Sequence, residues 1–195
     1  MLDALRAGWI IRALDAFSVD DYSNHMNNEP SEDVILEGAA GIYRRIDLSS
    51  APADTSSLIP FDSDLNSLGF KLVGDMILSS LSGFLRCYVH SHGKTRALLL
   101  IGIKDDRLNV LGLFFDTNFP DHVSLTTTTS RAVKDMPEKG LHAKVYSWAG
   151  VHDLYQKHQH HMNELKTKYG DVLPIEDTLL SLAESIDSAT VRSIS

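Results

Sequence analysis

Stretches of apolar residues in the middle of the chain are separated by short polar turns. Residues 83–129 read as four consecutive β-strands. The middle two, Thr95–Lys104 and Arg107–Thr117, are apolar on both faces and flank the turn Asp105-Asp106. A strand that is apolar on both faces has to be covered on both faces. We therefore expect helices on each side of this sheet.

Three more segments favour β-strands. Phe70–Leu78 precedes the central run and Leu141–Trp148 follows it. Val123–Ser130 contains four consecutive threonines, whose branched Cβ suits a pleated surface, and we expect it to be an edge strand. The pattern predicts an α+β domain whose antiparallel sheet has five or six strands, as a meander over about 70–148.

Short turns also predict the register of the central strands. With two-residue loops, Cys87 should face Leu98 and Leu99 should face Gly112. One face of the sheet would then mix polar and apolar residues, and the other would be wholly apolar. The mixed face would hold Phe84, Arg86, Tyr88, His90, Ala97, Leu99, Ile101, Val110 and Phe114, and the apolar face Leu85, Cys87, Val89, Leu98, Leu100, Leu111, Leu113 and Phe115.

Apolar residues at helical spacing predict N- and C-terminal helices packed on the sheet. At the N-terminus they cover Leu2–Phe17 and, after a polar loop, a second helix over Ser31–Ile46. At the C-terminus they cover Val151–Tyr169, which Gly170 ends. Pro174 opens a last helix, whose buried residues would be Ile175, Leu179, Leu182 and Ile186.

The segment Leu48–Ser57 is rich in Ser, Ala, Pro and Asp, which is typical of a linker. We interpret the chain as an N-terminal helical segment over 1–47, a linker over 48–57, and an α+β domain with two C-terminal helices over 58–195. The alternative is that all of it forms one domain.

Charge and cysteine content narrow the class of protein. The formal net charge of the 195 residues is -8, which argues against a broad Lys/Arg surface for a nucleic-acid backbone. Cys87 is the single cysteine, which fits a reducing compartment. Asp3 and Arg6 interrupt any signal-peptide core, and no apolar run reaches the length of a membrane span. We expect a cytoplasmic protein without nucleic-acid or membrane partners.

Nine histidines are the main supply of chemical groups. In the helix predicted from Val151, His158 and His161 are three residues apart and could hold one metal ion, such as zinc. A third ligand would come from the sheet: His90, His92 or Asp116. The alternative is that His158 is a buried core histidine, neutral because burial lowers its pKa below 6.5. In that reading, His158→Leu would keep or raise stability.

Arg86, Tyr88 and His90 share one face of a strand at a spacing of two. They could bind an anionic ligand under a helix, or they could form the solvated edge of a partly covered sheet. Cys87 points to the opposite face and is predicted to be a small buried apolar residue.

No set of residues converges into a recognisable catalytic motif, so we assign no catalytic residues. The first functional hypothesis is a non-enzymatic module that binds a protein partner or a second copy of itself. It rests on the absence of such a motif, the Thr-rich edge strand and the acidic charge. The alternative is a metal-dependent or histidine-based hydrolase.

Overall fold

A computed structural model describes residues 34–38, 41–50, 54–78, 83–105, 107–130, 137–138 and 140–184. The described residues include two α-helices, α1 (Ile59–Ser67) and α2 (Val151–Tyr169). A further helical stretch covers residues 179–184. The described strands are β1 (Val34–Gly38), β2 (Gly41–Ile46), β3 (Phe70–Leu78), β4 (Phe84–His90), β5 (Arg96–Lys104), β6 (Arg107–Asn118), β7 (Ser124–Thr128), β8 (Pro137–Glu138) and β9 (Leu141–Val145).

These strands form one sheet in the order β1-β2-β3-β4-β5-β6-β7-β9-β8. Neighbours are antiparallel except β7 and β9, which run parallel. The α+β class is confirmed, but an antiparallel meander of five or six strands is wrong. The described sheet has nine strands and is mixed, because the chain crosses over between β7 and β9.

The helix predicted over Ser31–Ile46 is also wrong. The described part of that segment is the hairpin β1–β2, and β2 pairs with β3. Its apolar residues fit a helical period, but Gly38 and Gly41 disfavour a helix, and the exposed edge of β3 offers backbone partners. The helix predicted over Leu2–Phe17 lies outside the described residues. The division at 47 and 57 stays a prediction.

The threonine-rich strand lies inside the sheet, not at its edge. β7 pairs with β6 on one side and with β9 on the other, and its residues are buried. Its hydroxyls have partners: Thr126 donates to Asp116 Oδ1 at 2.6 Å, and Thr128 donates to the Leu113 carbonyl at 2.9 Å. Threonine tolerates this interior position because its polar atom is satisfied.

A β-bulge corrects the predicted faces. Cys87 faces Leu98, as expected, and Ile101 faces Val110. The partner predicted for Leu99 is wrong, because Leu99 faces Leu113 and not Gly112. Leu100 faces Gly112, so Leu111 is the extra residue on β6. A one-residue bulge moves every later side chain of that strand to the opposite face. The two cores show this exchange. Phe114 packs on the same face as Cys87, and Leu113 and Phe115 pack on the same face as Tyr88, which is the opposite of the prediction for these three residues.

Both faces of the sheet carry a core, as the apolar strands predicted. On one face α1 and α2 cover residues that include Phe70, Leu99 and Phe115. The range predicted for α2 is confirmed. Its stripe packs on the sheet, with Val151, Leu154, Tyr155 and His158 buried and Met162, Leu165 and Tyr169 partly buried.

Residues 179–184 cover the opposite face through Leu179, Leu182 and Ala183. Gly74 permits this approach, because a Cβ at that position would lie 3.0 Å from Leu179 Cδ1 and the φ angle is +154°. The prediction that the last helix opens at Pro174 is wrong, because residues 170–178 have no helical structure and the helical stretch begins at Leu179. Within the part of the chain that the structure describes, no helix has the length and apolarity to span a membrane.

Candidate functional site

Arg86 is the centre of a polar cluster beneath α1. Its guanidinium donates from Nε to Asp75 Oδ1 at 2.7 Å and from Nη2 to Asp75 Oδ2 at 3.1 Å. Its Nη1 donates to Asp62 Oδ2 at 2.8 Å, and the Tyr88 hydroxyl donates to the same carboxylate. Arg86 is 7% exposed and Asp75 is 4% exposed, whereas the Asp62 side chain is 41% exposed. The cluster therefore reaches solvent at Asp62.

The sheet and α1 bring these residues together. Arg86 and Tyr88 alternate along β4 and share a face, and Asp75 is the register partner of Arg86 on β3. Burial opposes the charge of Arg86, but the hydrogen bond and the charge of Asp75 more than offset this and raise its pKa. Burial and the hydrogen bond to Asp62 raise the pKa of Tyr88, so its phenol stays protonated.

The cluster joins one guanidinium to two carboxylates. All three guanidinium nitrogens of Arg86 donate to Asp75 or Asp62, so an anionic ligand would compete with these two carboxylates. His90 lies apart from the cluster: its ring stacks on His92 at a centroid distance of 3.7 Å. The structure thus brings Arg86 and Tyr88 together with two aspartates, and leaves out His90.

His158 is 0% exposed and lies between α2 and the sheet. Its Nε2 lies 2.8 Å from Thr117 Oγ1, and its Nδ1 lies 3.0 Å from Thr127 Oγ1. Thr117 Oγ1 is also 3.2 Å from Thr95 Oγ1. Burial, with a smaller contribution from the charge of His161, lowers the pKa of His158 to about 3. The expected burial of His158 is confirmed, its lowered pKa agrees with a neutral ring, and threonine hydroxyls contact both ring nitrogens.

His161 is only partly buried, unlike His158. Its Nε2 is 2.7 Å from the Tyr146 hydroxyl, and its Nδ1 is 2.9 Å from Glu164 Oε2. One potential ligand atom each from His160, His161 and Glu164 lies within 4.8 Å of the others. Among the described residues, the group with metal-ligand spacing therefore includes His161 with His160, and does not include His158.

The residues proposed as a third ligand are engaged elsewhere. His90 and His92 stack on each other at the β4–β5 turn, and the His90 Nδ1 accepts the His92 backbone N–H at 3.2 Å. Asp116 accepts the hydrogen bond from Thr126. The structure places none of the three in the group around His161.

Ser67, His152 and Asp64 meet where the end of α1 approaches the start of α2. The Ser67 hydroxyl lies 3.3 Å from His152 Nε2, and Asp64 Oδ1 lies 3.8 Å from the same nitrogen. A serine nucleophile needs one ring nitrogen of the histidine and the orienting carboxylate needs the other. Ser67 also donates to the Asp64 carbonyl at 2.7 Å. This arrangement lacks the geometry of a catalytic triad.

Cys87 is expected to resist thiol reagents in the folded protein. It is buried, and desolvation raises its pKa to about 11. The thiolate is the reactive form, and its population at pH 8 falls roughly a hundredfold when the pKa rises by about two units. Reaction with Ellman's reagent at pH 8 should therefore be more than about 100-fold slower in buffer than in denaturing urea. Comparable rates in the two solutions would contradict the burial of Cys87.

Several residues of these clusters are not predictable from the sequence alone. Asp62 and Asp75 carry no pattern of their own: the pairing of β3 with β4 brings Asp75 to Arg86, and the packing of α1 on the sheet brings Asp62. His160 and Glu164 have a usable signal, since residues four apart on a helix are neighbours.

Comparisons with protein-family models, with curated proteins and with solved structures give no match for this chain.

Proposed function

We propose that this protein is a non-enzymatic binding module that contacts another protein chain through the surface around Trp148. The observation that carries the proposal is the 89% exposure of Trp148, which lies in the turn between β9 and α2. An exposed indole lacks the burial that stabilises apolar side chains. Tryptophan is enriched among the residues that dominate binding energy at interfaces.

Neighbouring features support a protein surface as the ligand. Ile59, at the start of α1, is 65% exposed, and α1 and α2 contact each other. The helix α2 carries three lysines against two acidic residues, whereas the whole chain has a net charge of -8. A partner with an acidic surface would be complementary to the lysines of α2.

Replacing Trp148 with alanine is expected to weaken this association by about 30-fold or more, which corresponds to roughly 2 kcal/mol for an interface hot spot. Size-exclusion chromatography with light scattering measures self-association of the full chain. A pull-down from native lysate with the wild-type protein and the variant measures a partner that depends on Trp148. The free energy of unfolding should change little, because the indole is exposed.

Leu180→Ala is the matched control, because it removes a partly exposed apolar side chain from the stretch 179–184, which covers the opposite face of the sheet. Leu180→Ala should leave the association intact. A strictly monomeric protein that retains no partner would overturn the proposal, and so would a partner that binds Trp148→Ala as well as it binds the wild type.

The alternative of a metal-dependent or histidine-based hydrolase has narrower support. The spacing of His160, His161 and Glu164 favours a metal ion, but the Ser67–His152–Asp64 group lacks triad geometry. We propose a cytoplasmic location from the single cysteine, and protein partners in preference to nucleic acid from the acidic net charge.

A further inference from the structure

The middle of α2 carries three potential metal ligands on one surface. His160 Nε2 lies 3.4 Å from Glu164 Oε1, and His161 Nδ1 lies 2.9 Å from Glu164 Oε2. The carboxylate of Glu164 thus lies between two imidazoles. Donor atoms bound to one zinc ion at about 2.0–2.2 Å in a tetrahedron are roughly 3.3–3.5 Å apart. The two histidine–glutamate separations are close to this value, and all three ligand atoms lie within 4.8 Å of one another.

We propose that His160, His161 and Glu164 bind one zinc ion on the exposed side of α2, with water completing the coordination. Two histidines and one carboxylate form a donor set that zinc accepts in open sites. The site is independent of the proposed contact through Trp148. His160 and Glu164 side chains are 71% and 58% exposed, so the ion has direct access from solvent.

Tyr146 provides a second observation that favours this site. Its hydroxyl lies 2.7 Å from His161 Nε2, and its backbone N–H donates to the Thr128 carbonyl at 2.8 Å. The sheet therefore anchors Tyr146, and Tyr146 holds the ring of His161. In the zinc-bound form, Nδ1 carries the lone pair that binds the metal, and Nε2–H donates to the Tyr146 oxygen. Metal-bound histidines typically have such a partner on the second nitrogen.

The charge around the site is compatible with a divalent cation. The Glu164 carboxylate, 3.4 Å from His160 Nε2 and 2.9 Å from His161 Nδ1, offers the ion a negative charge. Two lysines oppose a bound metal ion: Lys144, whose charge acts on Glu164, and Lys157, whose Nζ lies 5.2 Å from the centroid of the Tyr146 ring. Lys144→Gln should therefore tighten zinc binding. Mg²⁺ and Ca²⁺ prefer more oxygen ligands and should not compete at millimolar concentration.

Equilibrium dialysis of the full, untagged chain against zinc, with elemental analysis, tests the proposal. We expect one zinc per chain in the wild type, and a loss of affinity of about 100-fold or more in His160→Ala and in Glu164→Gln. Both residues are exposed, so these variants should fold like the wild type. Tyr146→Phe should lose roughly 10-fold, as expected for a group that orients a ligand.

His152→Ala is the control, because it removes an exposed histidine from the first turn of the same helix. It should keep the wild-type stoichiometry and affinity. Cobalt titration adds a spectroscopic readout: the visible bands of Co²⁺ should appear without a thiolate charge-transfer band, since Cys87 is buried. The proposal is overturned if the wild type binds no zinc, or if His160→Ala and Glu164→Gln bind it as tightly as His152→Ala does.

Discussion

Replacing Arg86 with methionine is expected to lower the free energy of unfolding by about 3–5 kcal/mol. The substitution keeps an apolar stem of similar length but removes both hydrogen bonds from Arg86 to the buried carboxylate of Asp75, which then keeps only the backbone N–H of Leu48 at 3.4 Å. A buried charge without a partner costs far more than a surface ion pair contributes. Urea unfolding at pH 7, followed by circular dichroism, measures the loss.

Arg107→Met is the matched control, because Arg107 is exposed on β6, where a charge has little effect on stability. It should change the free energy of unfolding by less than about 0.5 kcal/mol. Adding Asp75→Asn to Arg86→Met should recover part of the loss, since it removes the unpaired charge. Equal stabilities of Arg86→Met and Arg107→Met would show that the cluster around Arg86 contributes little to the fold.

Acidification should destabilise the protein through His158. Its pKa is about 3 in the folded state and about 6.5 in the unfolded state. Between these values the unfolded state binds a proton that the folded state does not. The stability is therefore fully present above about pH 6.5 and is lost as pH falls toward 3, by about 1.4 kcal/mol for each pH unit. Urea unfolding at several pH values from 7 to 4 measures this slope.

His158→Gln is the matched variant, because glutamine can donate to and accept from Thr117 and Thr127 without titrating. The slope of the variant between pH 6 and pH 4 should be shallower than that of the wild type by about 1.4 kcal/mol per unit. Identical slopes would mean that another group causes the acid destabilisation. An NMR titration that gives His158 a pKa near 6.5 would contradict its burial as a neutral ring.

The contacts of His158 also reverse the effect on stability that we expect from His158→Leu. On the sequence alone, His158→Leu would keep or raise stability. Both ring nitrogens contact threonine hydroxyls, and Thr117 keeps a second partner in Thr95 whereas Thr127 loses the imidazole. A buried hydroxyl without a partner costs about 1–3 kcal/mol, so leucine should destabilise the protein at pH 7.

Only some residues of the candidate sites are predictable from the sequence. Alternation on β4 correctly puts Arg86 and Tyr88 on one face, because successive side chains of a strand point to opposite sides. Helical spacing correctly puts His158 against the sheet. Neither pattern identifies Asp62 or Asp75, since Asp75 reaches Arg86 through the register of β3 on β4 and Asp62 reaches it through the packing of α1.

The sequence by itself determined the elements whose periodicity is long and unbroken. The stripe along α2 follows the helical period of 3.6, and the apolar runs of β3 to β6 have the length of strands and are separated by turn residues, so the type of each of these elements is predictable without its neighbours. Tertiary structure decided the rest. Pairing with β3 made the segment before Leu48 a hairpin, one extra residue at Leu111 exchanged the faces of β6, and the crossover from β7 to β9 buried the threonines. Those outcomes depend on backbone partners supplied by distant strands, which a local pattern does not contain.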